Sequence, residues 1–151
     1  MSVWRPPSAV RVKVVGLLLD GPHLFAAEVT DDAGRVKGAR PLGGSVEFGE
    51  TREAALIREF REELGAEIAL LGPWRVFENI FTHEGQPGHE IVFAAPIRLL
   101  DRVLPKDAAI VFHEADGTEG RARWFAIDEF RGGAPALYPQ GLLGALARSE
   151  E

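Results

Sequence analysis

From Thr51 to Leu64 the chain carries no glycine or proline and is rich in Ala, Glu, Leu and Arg, with Gly49 before the stretch and Gly65 after it. Most of these residues lose little side-chain freedom in a helix, and glycine readily takes the left-handed conformation on which helices stop. The spacing therefore predicts a helix that ends at Gly65. At about 100° per residue, Ile57, Phe60 and Leu64 share one face. Glu59, Glu62 and Glu63, at i, i+3 and i+4, share another, about 135° away. Such a helix buries one side and presents carboxylates on the other. The like charges repel by a few tenths of a kcal/mol per pair. Grouped hard oxygens are also what Mg²⁺ or Mn²⁺ requires. Taken alone, the pattern equally describes a solvated acidic face on which Arg58 bonds Glu62 four residues on.

The rest of the chain supplies strands. Val10 to Leu19 reads as a buried strand, with His23 to Val29 as its hairpin partner across Asp20-Gly21-Pro22. Asp31 to Lys37 is polar and turn-like, and Pro41-Leu42-Gly43-Gly44 opens a loop that runs to Gly49. Trp74 to Phe81 and Glu90 to Ala95 read as strands joined by Gly85-Gln86-Pro87-Gly88, and Ala122 to Ile127 as one more. Leu137 to Arg148 carries a helical stripe in Leu142, Leu143 and Leu146, read as core, with a homodimer contact as the alternative. These pieces pack as an α/β fold, a mixed β-sheet flanked by helices.

Composition bounds the function. The 151 residues suit one domain, and 46% hydrophobic content supports a real core. The apolar runs Val14 to Leu19 and Ile91 to Ile97 are far shorter than a membrane span of about 20 residues. With no cysteine there are no disulfides or thiolate sites, and a cytoplasmic setting is expected. A net charge of −6 argues against a nucleic acid polymer as partner, since an electropositive face supplies most of that affinity. A small polyanion remains possible where a metal mediates its binding.

The segment Gly44 to Ala66 is more specific than its helix. Gly44, five residues, Glu50, seven residues, then Arg58-Glu59-Phe60-Arg61-Glu62-Glu63-Leu64-Gly65-Ala66 resembles the Nudix box of the Nudix hydrolase family. At about 6% usage per residue type, its seven fixed positions coincide by chance at roughly 3 × 10⁻⁹ per window. The resemblance implies a Nudix-type α/β/α sandwich spanning 1–151 as a single domain. It also implies hydrolysis of a nucleoside diphosphate linked to another group, with Mg²⁺ or Mn²⁺ as cofactor and water attacking phosphorus. By position, Glu59, Glu62 and Glu63 would ligate the metal, Glu50 would support it from the loop, and Arg58 would orient a carboxylate. Gly44 would be a backbone position beside the substrate. The general base in this family comes from the box helix or a later loop, where Glu119 is the first candidate and Glu114 the second. Bound cations would reverse the sign of a cluster that otherwise repels pyrophosphate.

Other residues are weaker signals. His83-Glu84, His89-Glu90 and His113-Glu114 lack the second histidine of a zinc motif, since Pro87, Phe93 and Gly117 stand there. The stretch from Glu78 through His89-Glu90 resembles one found in some Nudix proteins, so Glu78, His89 and Glu90 are candidates for the pocket. Arg40, and less so Lys37, stands where phosphates would be met, and Phe77, Phe81 and Trp124 are candidates for stacking on a base. Subfamily markers are missing. Thr82 holds the position where the ADP-ribose group carries proline, and Glu84 the position where the diadenosine polyphosphate group carries tyrosine. Nucleoside triphosphates and nucleotide-sugar-type diphosphates both stay open as substrates. A nucleotide-binding or regulatory module without turnover is the alternative function.

Overall fold

The computed structural model describes residues 3–114 and 116–149. Its strands are β1 (Val10–Asp20), β2 (His23–Thr30), β3 (Val36–Pro41), β4 (Gly43–Ser45), β5 (Ile68–Leu70), β6 (Arg75–His83), β7 (Gln86–Leu99), β8 (Ile110–His113), β9 (Glu119–Ala126) and β10 (Ala136–Leu137). The helices are α1 (Arg52–Leu64) and α2 (Leu142–Ser149), with a 3-10 turn at Ile127–Phe130. The expected α/β sandwich is present: a curled mixed sheet between α1 and α2. No helix among the described residues is long and apolar enough to cross a membrane.

The sheet is built on β1. Its apolar run is buried on both faces, as a central strand's must be. Val14 and Leu18 pack on the α1 side with Phe25, Leu56 and Phe60. Val15 and Leu17 pack on the α2 side with Leu24, Val92, Phe125, Leu142 and Leu146. The leucine stripe of α2 is thus core, as its period suggested. Parallel pairing with β7 spans Val10 to Leu18. On its other edge β1 changes partner. Leu18 to Asp20 pair with β2, whereas Lys13 to Val15 pair with β4. The sheet forks there, and a pocket lies in the fork.

Local chemistry sets α1 against this sheet. The Thr51 side chain accepts the Ala54 N–H at 3.1 Å, capping the first turn. Gly65 ends the helix at φ 63°, a conformation that favours glycine. Arg102 donates to the Leu64 and Gly65 carbonyls at 2.8 and 2.7 Å, covering the helix end. The Phe60 ring then reaches β1 because residue 16 is glycine, where a Cβ would lie 2.8 Å from Phe60 Cε1.

Several short elements differ from the sequence reading. Val36 to Pro41 and Gly43 to Ser45 are strands rather than turn and loop; they are polar or glycine-bearing, so composition hides them. The β6–β7 turn is also tighter than the expected Gly85 to Gly88. His83 pairs with Gln86, leaving only Glu84 and Gly85 in the turn, at φ 48° and 84°. Positive φ at both positions is what a two-residue hairpin loop with the right twist demands.

Candidate active site

Arg58 organises the carboxylates of α1. Its Nε and Nη2 donate to Glu50 Oε2 and Oε1 at 2.7 and 3.0 Å. Its Nη1 donates to Glu59 Oε1 at 2.9 Å and to Glu62 Oε2 at 3.3 Å, and Nη2 also donates to the Ser45 carbonyl at 3.0 Å. All five N–H donors of the guanidinium are thereby engaged. One cation holds the loop before the helix, the end of β4 and two helix carboxylates in a fixed relation. Glu50 also accepts the Glu47 N–H at 3.0 Å. The Arg58 bonds, with that backbone donor, push the Glu50 carboxyl down to about 2. The same contacts raise Arg58 above its ordinary value.

Glu59 is only 9% exposed, and it fits because residue 44 is glycine. Gly44 pairs with Val14 in the fork, and a Cβ there would lie 2.2 Å from Glu59 Cδ. No positive φ is involved, so alanine would meet a steric obstacle alone. Gly44→Ala is expected to leave the protein folded and to displace Glu59, weakening Mg²⁺ or Mn²⁺ binding about 10-fold or more. Metal titration by calorimetry checks this; unchanged affinity would show that Glu59 needs no such cradle.

Glu63 lies deeper. Its Oε1 is buried without a hydrogen-bond partner. Burial, then the neighbouring charge of Glu114, push its carboxyl up to about 9; Arg40 opposes the shift and Glu59 adds to it. Glu62 is exposed on the pocket rim. Among the described residues no three carboxylates or imidazoles already converge on one point. The donor set nevertheless fits a divalent cation. Glu59, Glu62 and Glu63 share one helix face, Glu63 has an unmatched buried oxygen, and one guanidinium bonds Glu59 and Glu62.

A pocket of about 540 Å³ opens over these residues. It is lined by Glu59, Glu62 and Arg58 from α1, by Gly44 and Ser45 from β4, and by Arg40, Glu114 and Glu119 from the other arm of the fork. The tertiary fold thus brings Arg40, Glu114 and Glu119 to the site. Arg40 donates to Glu114 at 2.6 Å. Glu50 supports the pocket through Arg58 from outside its lining.

Glu78 and His89 are placed elsewhere. Residues directly paired across a sheet share a face, and the face alternates along the strand. Asn79 pairs with Glu90 and both line the pocket. Glu78 pairs with Ile91, and His89 with Ile80, on the opposite face and outside the pocket lining; of the three residues expected there Glu90 alone lines the pocket, joined by Asn79. Asn79, 4% exposed, accepts the Gln140 N–H at 3.2 Å and donates to Glu90 Oε1 at 3.4 Å. The sequence reading also missed Arg11, Lys13 and Trp4 in the lining. Their signal was present: Arg11 and Lys13 alternate with valines in Val10 to Val15, which places two cations on one strand face. Phe81 lines the pocket, whereas Phe77 and Trp124 pack against the core.

The NUDIX domain profile matches residues 10–142 of this chain. The chain belongs to the Nudix family. A nucleoside triphosphatase, NudI of Escherichia coli, is 44% identical over 66 residues, covering 42% of this chain and 46% of that protein. The chain thus spans about half the length of the known relatives it matches. Among solved structures, a NUDIX hydrolase from Nitrosomonas europaea aligns with TM-score 0.64 at 18% identity, covering 94% of this chain and 89% of that one. The E. coli ORF135 protein aligns with TM-score 0.58 at 21% identity, over 93% and 91%. At these identities the structural likeness shows a shared Nudix fold. Enzymes of the family generally use divalent metals and act on small nucleotide substrates.

Proposed function

We propose that this chain hydrolyses a pyrophosphate bond of a nucleoside triphosphate, with Mg²⁺ or Mn²⁺ held by Glu59, Glu62 and Glu63. The observation that carries the reading is the complete carboxylate set on one helix face, with Glu50, Glu59 and Glu62 fixed by one Arg58, at the edge of a pocket large enough for a nucleotide. A pure binding module has no need of all these ligands together. The partly matching relative is a nucleoside triphosphatase, which favours a triphosphate over a nucleotide-sugar substrate.

Within the site each residue has a task. Arg58 keeps Glu59 and Glu62 in place and holds Glu50 against the start of the helix. A metal bound by these carboxylates supplies charge neutralisation at the phosphates and acidifies the attacking water. Glu114 and Glu119 both face the pocket, and the field of Glu114 reaches Glu63. We therefore place Glu114 ahead of Glu119 as the later-loop proton acceptor, reversing the order the sequence suggested.

The test is phosphate release from nucleoside triphosphates, ADP-ribose, nucleotide sugars and dinucleoside polyphosphates, with Mg²⁺ or Mn²⁺ and with EDTA. A triphosphate preference abolished by EDTA is expected, with a larger fall in kcat for Glu114→Gln than for Glu119→Gln. Nucleotide binding without turnover of any compound would instead establish the binding-module function.

A further inference from the structure

The pocket contains a cation that its own acids leave free. Four cationic side chains line it: Arg11, Lys13, Arg40 and Arg58. Three are closed off, Arg11 by Glu90 at 2.6 Å, Arg40 by Glu114 at 2.6 Å, and Arg58 by its five acceptors. The Lys13 side chain forms no ion pair or hydrogen bond among the described residues. The charges that reach it are those of Arg11, Glu90, Arg40 and Glu114, which are already matched to each other. Burial pushes its ammonium below the ordinary lysine value, and Arg11 pushes the same way. A half-buried ammonium with no counter-ion among the described residues gives the strand little that an apolar side chain of similar length would not.

The geometry points to Lys13 as the residue that holds a substrate phosphate, the one that stays with the nucleoside when the pyrophosphate bond is cut. Lys13 pairs with Ser45 and Val92 and so faces away from the Val14–Gly44 pair, yet at the fork it lines the same pocket as Glu59 and Glu62. Away from the carboxylates, the next residue on the same strand face is Arg11, with Glu90 beside it. The guanidinium of Arg11 lies 5.3 Å over the Trp4 ring, and Asn79 reaches Glu90. This end of the pocket offers an aromatic face and buried polar groups, the surroundings a nucleobase and ribose require. The carboxylates, Lys13 and the aromatic end line one pocket and together match the parts of a nucleotide: phosphates to be removed, retained phosphate and nucleoside. A phosphate at Lys13 would also give the ammonium its missing counter-charge.

This inference rests on the hydrolase reading, and the two can be separated. AMP, GMP, CMP and UMP, and the corresponding nucleosides, are titrated by calorimetry into the wild-type chain and Lys13→Met, with EDTA present. Lys13→Met is expected to weaken binding of the preferred monophosphate about 10- to 100-fold, to leave nucleoside binding unchanged, and to unfold at the same temperature or higher. Lys13→Arg is expected to recover part of the loss. Monophosphate binding by Lys13→Met equal to wild type would overturn the Lys13 assignment while hydrolysis by the wild type stood. So would an equal loss of nucleoside and monophosphate binding, which marks a damaged pocket. A wild-type chain that bound no nucleotide and cleaved none would overturn both.

Discussion

Glu63→Gln is expected to lose about 10²- to 10⁴-fold in turnover while making the metal-free protein more stable. The two effects have one cause. Glu63 is held where burial and the charges of Glu114 and Glu59 disfavour its ionised form, which pushes its carboxyl up from 4.5 to about 9. Between those two values the folded chain keeps a proton that the unfolded chain has released. Stability therefore falls as pH rises from about 4.5 towards 9. Glutamine keeps the shape and removes the titration, for a gain of about 1–3 kcal/mol at neutral pH. Thermal unfolding without metal, at pH 5.5, 7 and 8.5, checks this: the mutant should lead the wild type by a margin that widens with pH. Added Mg²⁺ should narrow or reverse the margin, because only the wild type offers the anionic ligand. A constant margin at all three pH values would remove Glu63 from its buried, proton-holding role.

Arg58→Ala is the second large effect, and it should damage stability and turnover together. Without the guanidinium, Glu59 stays buried in the Gly44 cradle without its donor, at a cost of about 2 kcal/mol. For a chain of this size that lowers Tm by about 4–8 °C. Glu50 and Glu62 are released at the same time, so the ligand geometry is lost and turnover should fall about 10²-fold or more. Arg58→Lys separates charge from shape. Its ammonium has three donors and no planar fork, so it cannot serve Glu50, Glu59, Glu62 and the Ser45 carbonyl at once. It should recover part of the stability and little of the turnover. The acid limb carries a further signature. Glu50, depressed to about 2, stabilises the wild type above its unfolded value of 4.5, and this contribution is lost as pH falls from 4.5 towards 2. Arg58→Ala should lack that part of the acid transition. Wild-type turnover in Arg58→Lys would show that the charge alone suffices.

The sequence by itself determined the elements whose periodicity is local. Helix α1, its Thr51 and Gly65 ends, its Phe60 face and its glutamate face all follow from 3.6-residue spacing and intrinsic preference, which need no partner to be read. The buried character of β1 and the leucine stripe of α2 were legible for the same reason. So was the box pattern, whose fixed positions lie within one short segment. Tertiary structure decided the matters that depend on pairing. Whether Glu78 or Asn79 faces the pocket turns on strand register, and a shift of one residue exchanges every face. Register is set by β7 and the Glu84-Gly85 turn, far from either side chain's own neighbours. The fork of β1 between β2 and β4 brought Arg40 and Glu114 to within reach of Glu63, residues that the chain order keeps apart. Arg58 was visible as a partner of Glu62, but its bonds to Glu50 and to the Ser45 carbonyl required a loop and a strand to meet a helix. The lack of a partner for the Lys13 side chain among the described residues is likewise a property of the assembled pocket, since it arises only once the fold has given Glu90 to Arg11 and Glu114 to Arg40.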